Sequence, residues 1–277
     1  MKRSPSLVFL HYSMLVILAL LCLAPIVVIF ATSLRQQVQI FSEPLNFLFA
    51  PTLENYRAVL QEDKLEVYLG NSLFVGVIST LITLVIGCMA AYGLARFRFT
   101  GRTTLAYTTL LLRTVPLAVL AIPVFVIWNQ WNLVNSLWGL ILLYVAVNLP
   151  FTIWLLYGFV LQVPIELEEA AAIDGCSPLR IFTSVFLPLM APGLAAASIF
   201  TFRIAWNEFI FALTFITREE MKTIPVAAAQ LGGATQFEIP YGSIAAATII
   251  GTLPLVVLVL FFQRKIIQGL TAGAVKG

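Results

Sequence analysis

Six apolar stretches, each about as long as a lipid bilayer is thick, constrain this chain more than any other feature of its sequence. A helix needs about 20 apolar residues to cross the hydrocarbon core. Backbone groups in lipid must be satisfied within the segment, so each stretch is predicted to be a helix. The six predicted spans are Tyr12–Ser33, Asn71–Ala95, Thr104–Trp128, Leu137–Val160, Pro192–Ile216 and Ser243–Gln263. The predicted fold class is therefore all-α: a polytopic membrane protein with about six transmembrane helices in a single domain, residues 1–277.

The composition excludes a soluble globular domain. Of the 277 residues, 60% are hydrophobic and 10% are charged, whereas a soluble domain carries about 25% charged residues. Lipid must therefore cover part of the surface. The three cysteines and the single histidine have no spacing typical of a disulfide framework or a metal site, so no metal is predicted.

Positive charge is divided unevenly between the two sides of the membrane. Six spans put both termini on one side, which carries nine Lys and Arg residues against five on the other. The nine are Lys2, Arg3, Arg96, Arg98, Arg102, Arg180, Arg264, Lys265 and Lys276. Because short cytoplasmic loops carry the excess of Lys and Arg, both termini are predicted to be cytoplasmic.

This orientation leaves two sizeable segments outside, at about 34–70 and 217–242. In the second, Gly232 and Gly233 predict a tight turn. Both segments are interpreted as connecting loops, and the alternative is that they meet an external partner.

The cytoplasmic loop 162–192, between the fourth and fifth spans, has the sequence of two short helices joined by a turn. Pro164 suits the first position of a helix, the glutamates that follow complement the helix dipole, and three alanines favour helix. Asp174 and Gly175 are expected to end this helix. Ser177 is expected to cap the second one.

The second helix is predicted to start with Pro178 and to end at Pro188 and Pro192, before the next span. Such a loop could lie on lipid headgroups, but helices on membrane surfaces are usually basic, and the first helix here is acidic. Small alanines flanked by carboxylates would let the backbone of another protein approach closely. A cytoplasmic protein partner is therefore the favoured interpretation.

Glu169-Ala170-Ala171 is followed at fixed intervals by Gly175, Val185 and Leu187-Pro188. This spacing resembles the EAA loop of bacterial ABC importer permeases. The resemblance implies that the loop docks in a cleft of a cytoplasmic ATPase, with Glu169 and Gly175 at the core of the contact. The coupling residues implied in this way are Glu169, Ala170, Ala171, Asp174, Gly175, Phe182, Leu187 and Pro188.

Two further segments resemble the maltose-type sugar permeases within that family. One is Trp206-Asn207-Glu208-Phe209 and the other is the C-terminal tail, 264–277. The resemblance implies that the tail reaches the ATPase through Thr271, Gly273 and Lys276, whereas its glycines alone indicate only a flexible end.

No ATPase is predicted in the chain itself. A phosphate-binding loop needs a Gly-Lys pair, and the sequence contains none. The prediction is a transport subunit without enzyme activity or cofactor, with ATP and Mg²⁺ bound by a partner ATPase. The resemblance implies the bacterial inner membrane as the location. It implies as partners a second homologous permease, an ATPase dimer, an external solute-binding protein and a sugar, with no nucleic acid.

Polar side chains inside spans are the candidates for a substrate path, because they are costly in lipid and should face protein or water. Hydroxyl-rich ligands such as sugars suit amides and aromatic rings. The candidates are Arg113, Tyr144, Asn148, Arg203, Trp206, Asn207 and Glu208. Such residues also lock helices together. Glu208 is expected to pair with another helix or another subunit.

Two other functions stay open at this point. The cationic candidates Arg113 and Arg203 would suit an importer of a phosphorylated solute such as glycerol phosphate. An ion-coupled secondary transporter is the second alternative, although Glu208 is the single acid in the predicted spans and no internal repeat is evident.

Overall fold

The structure is a computed structural model that describes residues 5–42, 48–62, 64–231 and 239–274. All regular structure within these ranges is helical. The α-helices are α1 Pro5–Ser33, α2 Gln37–Ser42, α3 Glu54–Arg57, α4 Leu65–Arg96, α5 Arg102–Leu112, α6 Leu117–Gln130, α7 Leu137–Val160, α8 Glu166–Ile173, α9 Pro178–Arg180, α10 Leu187–Leu189, α11 Ala191–Trp206, α12 Ile210–Phe215, α13 Ile224–Leu231 and α14 Tyr241–Ala274. Ala58–Glu62 and Ile181–Phe186 form π-helical turns, and Glu219–Met221 forms a 3₁₀ turn.

Four described helices are long and apolar enough to cross a membrane: Val8–Ser33, Leu65–Arg96, Leu137–Val160 and Tyr241–Gln263. Two bent helix pairs raise the number to six if each pair is counted as one span. The α5–α6 pair is bent by 99°, and the stretch Pro178–Leu189 meets α11 at 74°. The all-α membrane fold predicted from the sequence is confirmed.

The predicted third span, Thr104–Trp128, is not one straight helix, because α5 ends at Leu112 and α6 begins at Leu117. Pro116 causes this break: it lacks an N–H and disfavours helical geometry at the residue before it. Its own backbone is extended, with φ −63° and ψ 127°. The chain therefore turns sharply where a continuous span was expected.

The predicted fifth span, Pro192–Ile216, is also divided, since α11 ends at Trp206 and α12 begins at Ile210. At the C-terminus, α14 continues as helix to Ala274, although its glycines alone indicated a flexible tail. The predicted positions that lie outside the described residues are Lys2, Arg3, Gly232, Gly233 and Lys276.

The chain divides into two compact units, Met1–Glu66 with Ala227–Leu253 and Val67–Val226 with Pro254–Gly277. In the first unit, the Asn55 side chain donates to the carbonyls of Ser33 and Arg35 at 2.9 and 2.8 Å. A Cβ atom at Gly242 would lie 2.5 Å from Asn55 Oδ1, so this contact requires glycine. Asn55 thus fixes the chain where it leaves α1.

The second unit has buried cores between its helices. One core packs α4, α6, α7 and α12 together, with Tyr144 and Phe215 at its centre. Another joins the end of α4 to the end of α7, the loop that follows and α11, around Phe186 and Met190. Between α7 and α11, the hydroxyls of Thr152 and Thr201 lie 2.9 Å apart in a hydrogen bond.

Candidate coupling loop and translocation cavity

The loop between α7 and α11 contains two short helical stretches joined by a tight turn. The first, α8, begins at Glu166. Pro164 therefore precedes the helix, whereas the sequence predicted it at the first helical position. The helix ends with the amides of Gly175 and Cys176 donating to the carbonyls of Ala172 and Ala171, both at 3.0 Å.

This pair of hydrogen bonds defines a Schellman motif, which needs a left-handed residue just after the helix. Gly175 supplies it with φ +81°. The turn predicted from Asp174 and Gly175 therefore rests on the conformational freedom of one glycine.

The second helical stretch starts as predicted, with Ser177 as the cap and Pro178 in the first position. The Ser177 hydroxyl accepts a hydrogen bond from the Arg180 amide at 3.4 Å. Pro188 does not end the stretch, contrary to the sequence interpretation, because it lies at the start of α10, where a missing N–H is tolerated. The chain turns only at Met190, into α11.

The two faces of the loop differ sharply in exposure. Glu168 and Ala171 are buried and point inward. On the opposite face Glu169, Ala170 and Asp174 are exposed. Two large apolar side chains are exposed as well, Ile173 at 86% and Leu179 at 72%. The loop thus presents an apolar tip, Ile173 and Leu179, flanked by the carboxylates of Glu169 and Asp174.

The inward face is held by a buried ion pair that sequence analysis missed. Arg96, in the last turn of α4, donates from Nε to Glu168 Oε1 at 2.8 Å and from Nη2 to the Val163 carbonyl at 2.8 Å. Tyr92 donates from its hydroxyl to Glu168 Oε2 at 2.8 Å. The two charged side chains are only 11% and 8% exposed.

Aromatic rings surround this ion pair. The Tyr92 ring centroid lies 5.1 Å from that of Phe182 and 4.6 Å from that of Phe186. Both members of the ion pair are visible in the sequence, but from the sequence alone Arg96 is interpreted as a marker of the cytoplasmic side and Glu168 as a group that complements the helix dipole. Nothing in their spacing indicated that they meet.

The structure therefore divides the predicted coupling residues into two groups. Glu169, Ala170, Asp174, Gly175 and Pro188 are exposed, whereas Ala171 is buried and Phe182 and Leu187 pack against the core. The first group can contact a partner directly, and the second holds the loop in place.

Among the substrate-path candidates, Tyr144 and Glu208 are joined to each other. The Tyr144 hydroxyl donates to Glu208 Oε2 at 2.7 Å. The Glu208 carboxylate also accepts from the amides of Phe211 and Ala212, at 2.8 and 3.0 Å. Glu208 thus caps α12 and satisfies backbone groups at the break after α11, with its side-chain partner on α7.

Three other candidates, Arg203, Trp206 and Asn207, lie at the end of α11 or just after it. Trp206 is buried against Phe202, with ring centroids 5.4 Å apart. Arg203 and Asn207 are exposed, and Asn207 Nδ2 donates to the Arg203 carbonyl at 2.9 Å.

Arg113 and Asn148 line one cavity of about 520 Å³, beside the bend between α5 and α6. Arg113 Cζ lies 3.9 Å above the Phe151 ring centroid. Asn148 is 3% exposed, and its side-chain amide makes no hydrogen bond within the part of the chain that the structure describes.

Pro150 removes one main-chain hydrogen bond from α7 close to Asn148 in the sequence. Ala146 and Pro150 both line the cavity, and a proline cannot donate to the carbonyl four residues earlier. The Ala146 carbonyl therefore lacks its usual helical donor. Trp128 adds an aromatic surface that the sequence had not singled out. Pro116 was the available signal for the bend, but a proline alone does not fix one, because α6 and α7 continue through Pro123 and Pro150.

The fold combines long apolar helices, a loop of short helical stretches with an exposed apolar tip, and a cavity beside the bend between α5 and α6. Together these features define a membrane transport component that works with a partner. The sequence profile of binding-protein-dependent transport system inner membrane components matches residues 83–271. The chain belongs to this family. It is a permease subunit of an ABC transporter, which sets aside the alternative of an ion-coupled secondary transporter.

Two relatives match the chain over nearly its whole length. The trehalose transport system permease protein SugB of Mycobacterium tuberculosis is 41% identical, over 92% of this chain and 93% of its own. The trehalose/maltose transport system permease protein MalG of Thermococcus litoralis is 38% identical, over 95% and 94%.

A solved structure has the same fold. It is a bacterial ABC transporter involved in the import of the acidic polysaccharide alginate, and one of its chains superimposes with a TM-score of 0.77. The match covers 95% of this chain and 98% of that one, at 21% sequence identity.

Proposed function

We propose that this permease carries a sugar of the oligosaccharide or glucoside class across the bacterial inner membrane, driven by a separate ATPase that docks on the loop between α7 and α11. The sugar class is supported by the two relatives, which are described as transporting trehalose or trehalose and maltose. The single observation that carries the coupling proposal is the exposed tip, Ile173 and Leu179.

The tip favours a protein partner over lipid for two reasons. Large apolar side chains at 86% and 72% exposure are expected to be covered in the assembled protein. The flanking carboxylates of Glu169 and Asp174 are exposed, and they would be repelled by anionic headgroups. A cleft with apolar walls and a basic rim on the partner fits both features.

ATP and Mg²⁺ belong to that partner in this proposal, because the sequence contains no Gly-Lys pair for a phosphate-binding loop. Both termini are placed in the cytoplasm, with the tail positions Thr271, Gly273 and Lys276 as further ATPase contacts. An external solute-binding protein, in line with the family's name, and a second homologous permease complete the assembly in this proposal. No nucleic acid is involved.

The sugar path in this subunit is proposed to pass the cavity beside Asn148. The Asn148 amide, which makes no hydrogen bond to the described part of the chain, suits hydroxyl groups. Trp128, which lines the same cavity, suits the face of a sugar ring. Arg113 also lines this cavity, and it favours a second candidate substrate, a phosphorylated or otherwise anionic glycoside.

Transport by the purified assembly in liposomes tests the proposal. The permease pair, its ATPase and its binding protein are reconstituted, and the uptake of labelled trehalose, maltose and glycerol phosphate is measured with and without ATP. ATP-dependent uptake of a disaccharide is expected. Uptake of glycerol phosphate alone would contradict the sugar class, and uptake without ATP would contradict the coupling.

Replacing Ile173 by Asp tests the docking tip within the same assay. Covering an isoleucine is worth about 1.5–3 kcal/mol, so the variant should bind the ATPase at least about tenfold more weakly. Co-purification of the ATPase and sugar uptake should both fall. Ile173→Leu keeps an apolar tip and serves as the matched control. Normal ATPase binding by Ile173→Asp would show that the tip is not the contact.

A further inference from the structure

The buried ion pair between Arg96 and Glu168 joins two elements that are far apart in the sequence. Glu168 belongs to α8, and Arg96 lies 72 residues earlier, in the last turn of α4. The loop is already attached through the chain to α7 and α11, its neighbours in sequence. The ion pair adds a third attachment, to a helix of 32 residues that is long enough to span the membrane.

Three hydrogen bonds make this attachment stiff. Arg96 holds both the Glu168 carboxylate and the Val163 carbonyl, each at 2.8 Å, and Tyr92 holds the second carboxylate oxygen at 2.8 Å. Tyr92 and Arg96 are four residues apart, so they share one face of α4. Charge-assisted hydrogen bonds are short and directional, so they oppose sliding of α8 along α4.

The position of Glu168 within α8 relates this attachment to the docking surface. Glu168 is buried against α4, and the next residue, Glu169, is exposed on the face that carries the tip. A displacement of the outer face of α8 is therefore passed to the Arg96 side chain across a single helical turn. The aromatic contacts of Tyr92 with Phe182 and Phe186 connect the second helical stretch to the same point.

We infer that Glu168, Arg96 and Tyr92 are positioning residues for transport, which fasten the loop to the end of α4 so that the ATPase moves this span together with the loop. This inference rests on the proposed docking of an ATPase. The three side chains contact neither sugar nor nucleotide in this scheme. Their role is to carry the displacement from the loop into the membrane.

Removing the charge from Glu168 tests the inference. In the reconstituted transporter, Glu168→Gln should still allow ATP hydrolysis, but the number of sugars imported per ATP should fall roughly tenfold. Tenfold corresponds to about 1.4 kcal/mol, which is near the lower end of what a hydrogen bond to a charged group contributes. Tyr92→Phe removes only one hydrogen bond and should have a smaller effect. Unchanged sugar import per ATP in Glu168→Gln would overturn the inference.

The double variant Arg96→Glu with Glu168→Arg exchanges the two charges. It distinguishes a role of the ion pair in transmitting movement from a role only in the stability of the permease. Each single change leaves two like charges at one buried site, whereas the double variant restores an ion pair. We expect the double variant to recover sugar import per ATP relative to either single variant. Glu166→Gln, an exposed change on the same helix, is the matched control and should retain the normal ratio. A double variant that assembles but remains as uncoupled as the singles would overturn the inference.

The same experiment separates this inference from the proposed function. Uptake by the unaltered transporter reports on the sugar class. The number of sugars imported per ATP by each variant, relative to the unaltered transporter, reports on the attachment of the loop to α4. If the unaltered transporter imports none of the sugars tested, the stimulation of ATP hydrolysis by the binding protein provides the ratio. The binding protein acts from outside and the ATPase lies inside, so this stimulation also depends on a conformational change passed through the permease. It should therefore fall in Glu168→Gln and stay normal in Glu166→Gln.

Discussion

At the residue scale, single side chains decide how the loop and the spans hold their shape. Gly175 ends α8 because it can adopt a left-handed conformation. Glu208 caps the start of α12, after the break that follows α11, because its carboxylate accepts hydrogen bonds from two backbone amides. Asn135 acts in a similar way with φ +56°, since its side-chain oxygen accepts from the Thr217 and Arg218 amides at 2.6 and 3.1 Å. Glu208 and Asn135 accept hydrogen bonds from backbone amides that have no helical acceptor, and Gly175 lets the end of α8 form its own closing hydrogen bonds.

Replacing Gly175 by Ala should loosen the end of α8. A Cβ atom at this position would meet nothing within 4 Å, so the cost is conformational only, about 1–2 kcal/mol for a left-handed residue. Hydrogen exchange at the amides of residues 175 and 176 should therefore speed up roughly 5- to 30-fold.

Two other variants control this prediction. Gly175→Asn should have a smaller effect, because asparagine visits the left-handed region more readily. Gly158→Ala lies in a helix with equally open space around it and should leave exchange at residues 175 and 176 unchanged. Equal exchange in Gly175→Ala and the unaltered protein would refute the conformational role.

At the element scale, breaks in the helices place polar groups inside the membrane region. Pro116 separates α5 from α6 and opens the cavity beside Arg113. The break between α11 and α12 exposes amides that Glu208 satisfies. By contrast, α7 continues through Pro150 and frees the Ala146 carbonyl without a break.

Removing the Glu208 side chain should destabilise the protein more than removing its partner hydroxyl. Glu208→Ala leaves two backbone amides and the Tyr144 hydroxyl buried without an acceptor, at about 1–3 kcal/mol for each unsatisfied group. Tyr144→Phe removes one hydrogen bond and should cost about 1 kcal/mol. Thermal unfolding of the detergent-solubilised protein measures both. If the two variants melt at the same temperature, Glu208 does not serve as the cap.

At the scale of the whole molecule, the chain presents surfaces that it does not cover itself. None of the most apolar window of the helix Val8–Ser33 is buried, so lipid or another membrane protein must cover it. The tip formed by Ile173 and Leu179 is likewise uncovered. Such surfaces agree with a subunit that functions in an assembly.

Changing Asn148 should affect sugar affinity without uncoupling ATP hydrolysis from transport. Asn148→Leu removes the buried amide from the cavity, and the loss of one hydrogen bond to the ligand should raise the KM for sugar uptake roughly five- to tenfold. Arg113→Gln should change the KM strongly only for an anionic substrate. Trp154→Leu, an exposed change on the same helix, should leave the KM unchanged. An unaltered KM in Asn148→Leu would remove this cavity from the sugar path.

Much of the candidate coupling loop could be predicted from the sequence, because its determinants are local. Ser177 with Pro178 starts one helix and Gly175 ends another, and each acts on backbone groups within a few residues. The all-α membrane fold followed from the length of the apolar stretches for the same reason, since lipid imposes helix on each segment separately. The family could be inferred because its spacing lies within one continuous segment.

Only the tertiary structure decided which distant polar groups meet. Arg96 and Glu168 are 72 residues apart, and Tyr144 and Glu208 are 64 residues apart. A sequence shows that such side chains are costly in lipid, but their partners depend on how the helices pack. The same holds for the cavity, because Arg113 and Asn148 are 35 residues apart and line it together only once α7 has packed beside the bend between α5 and α6.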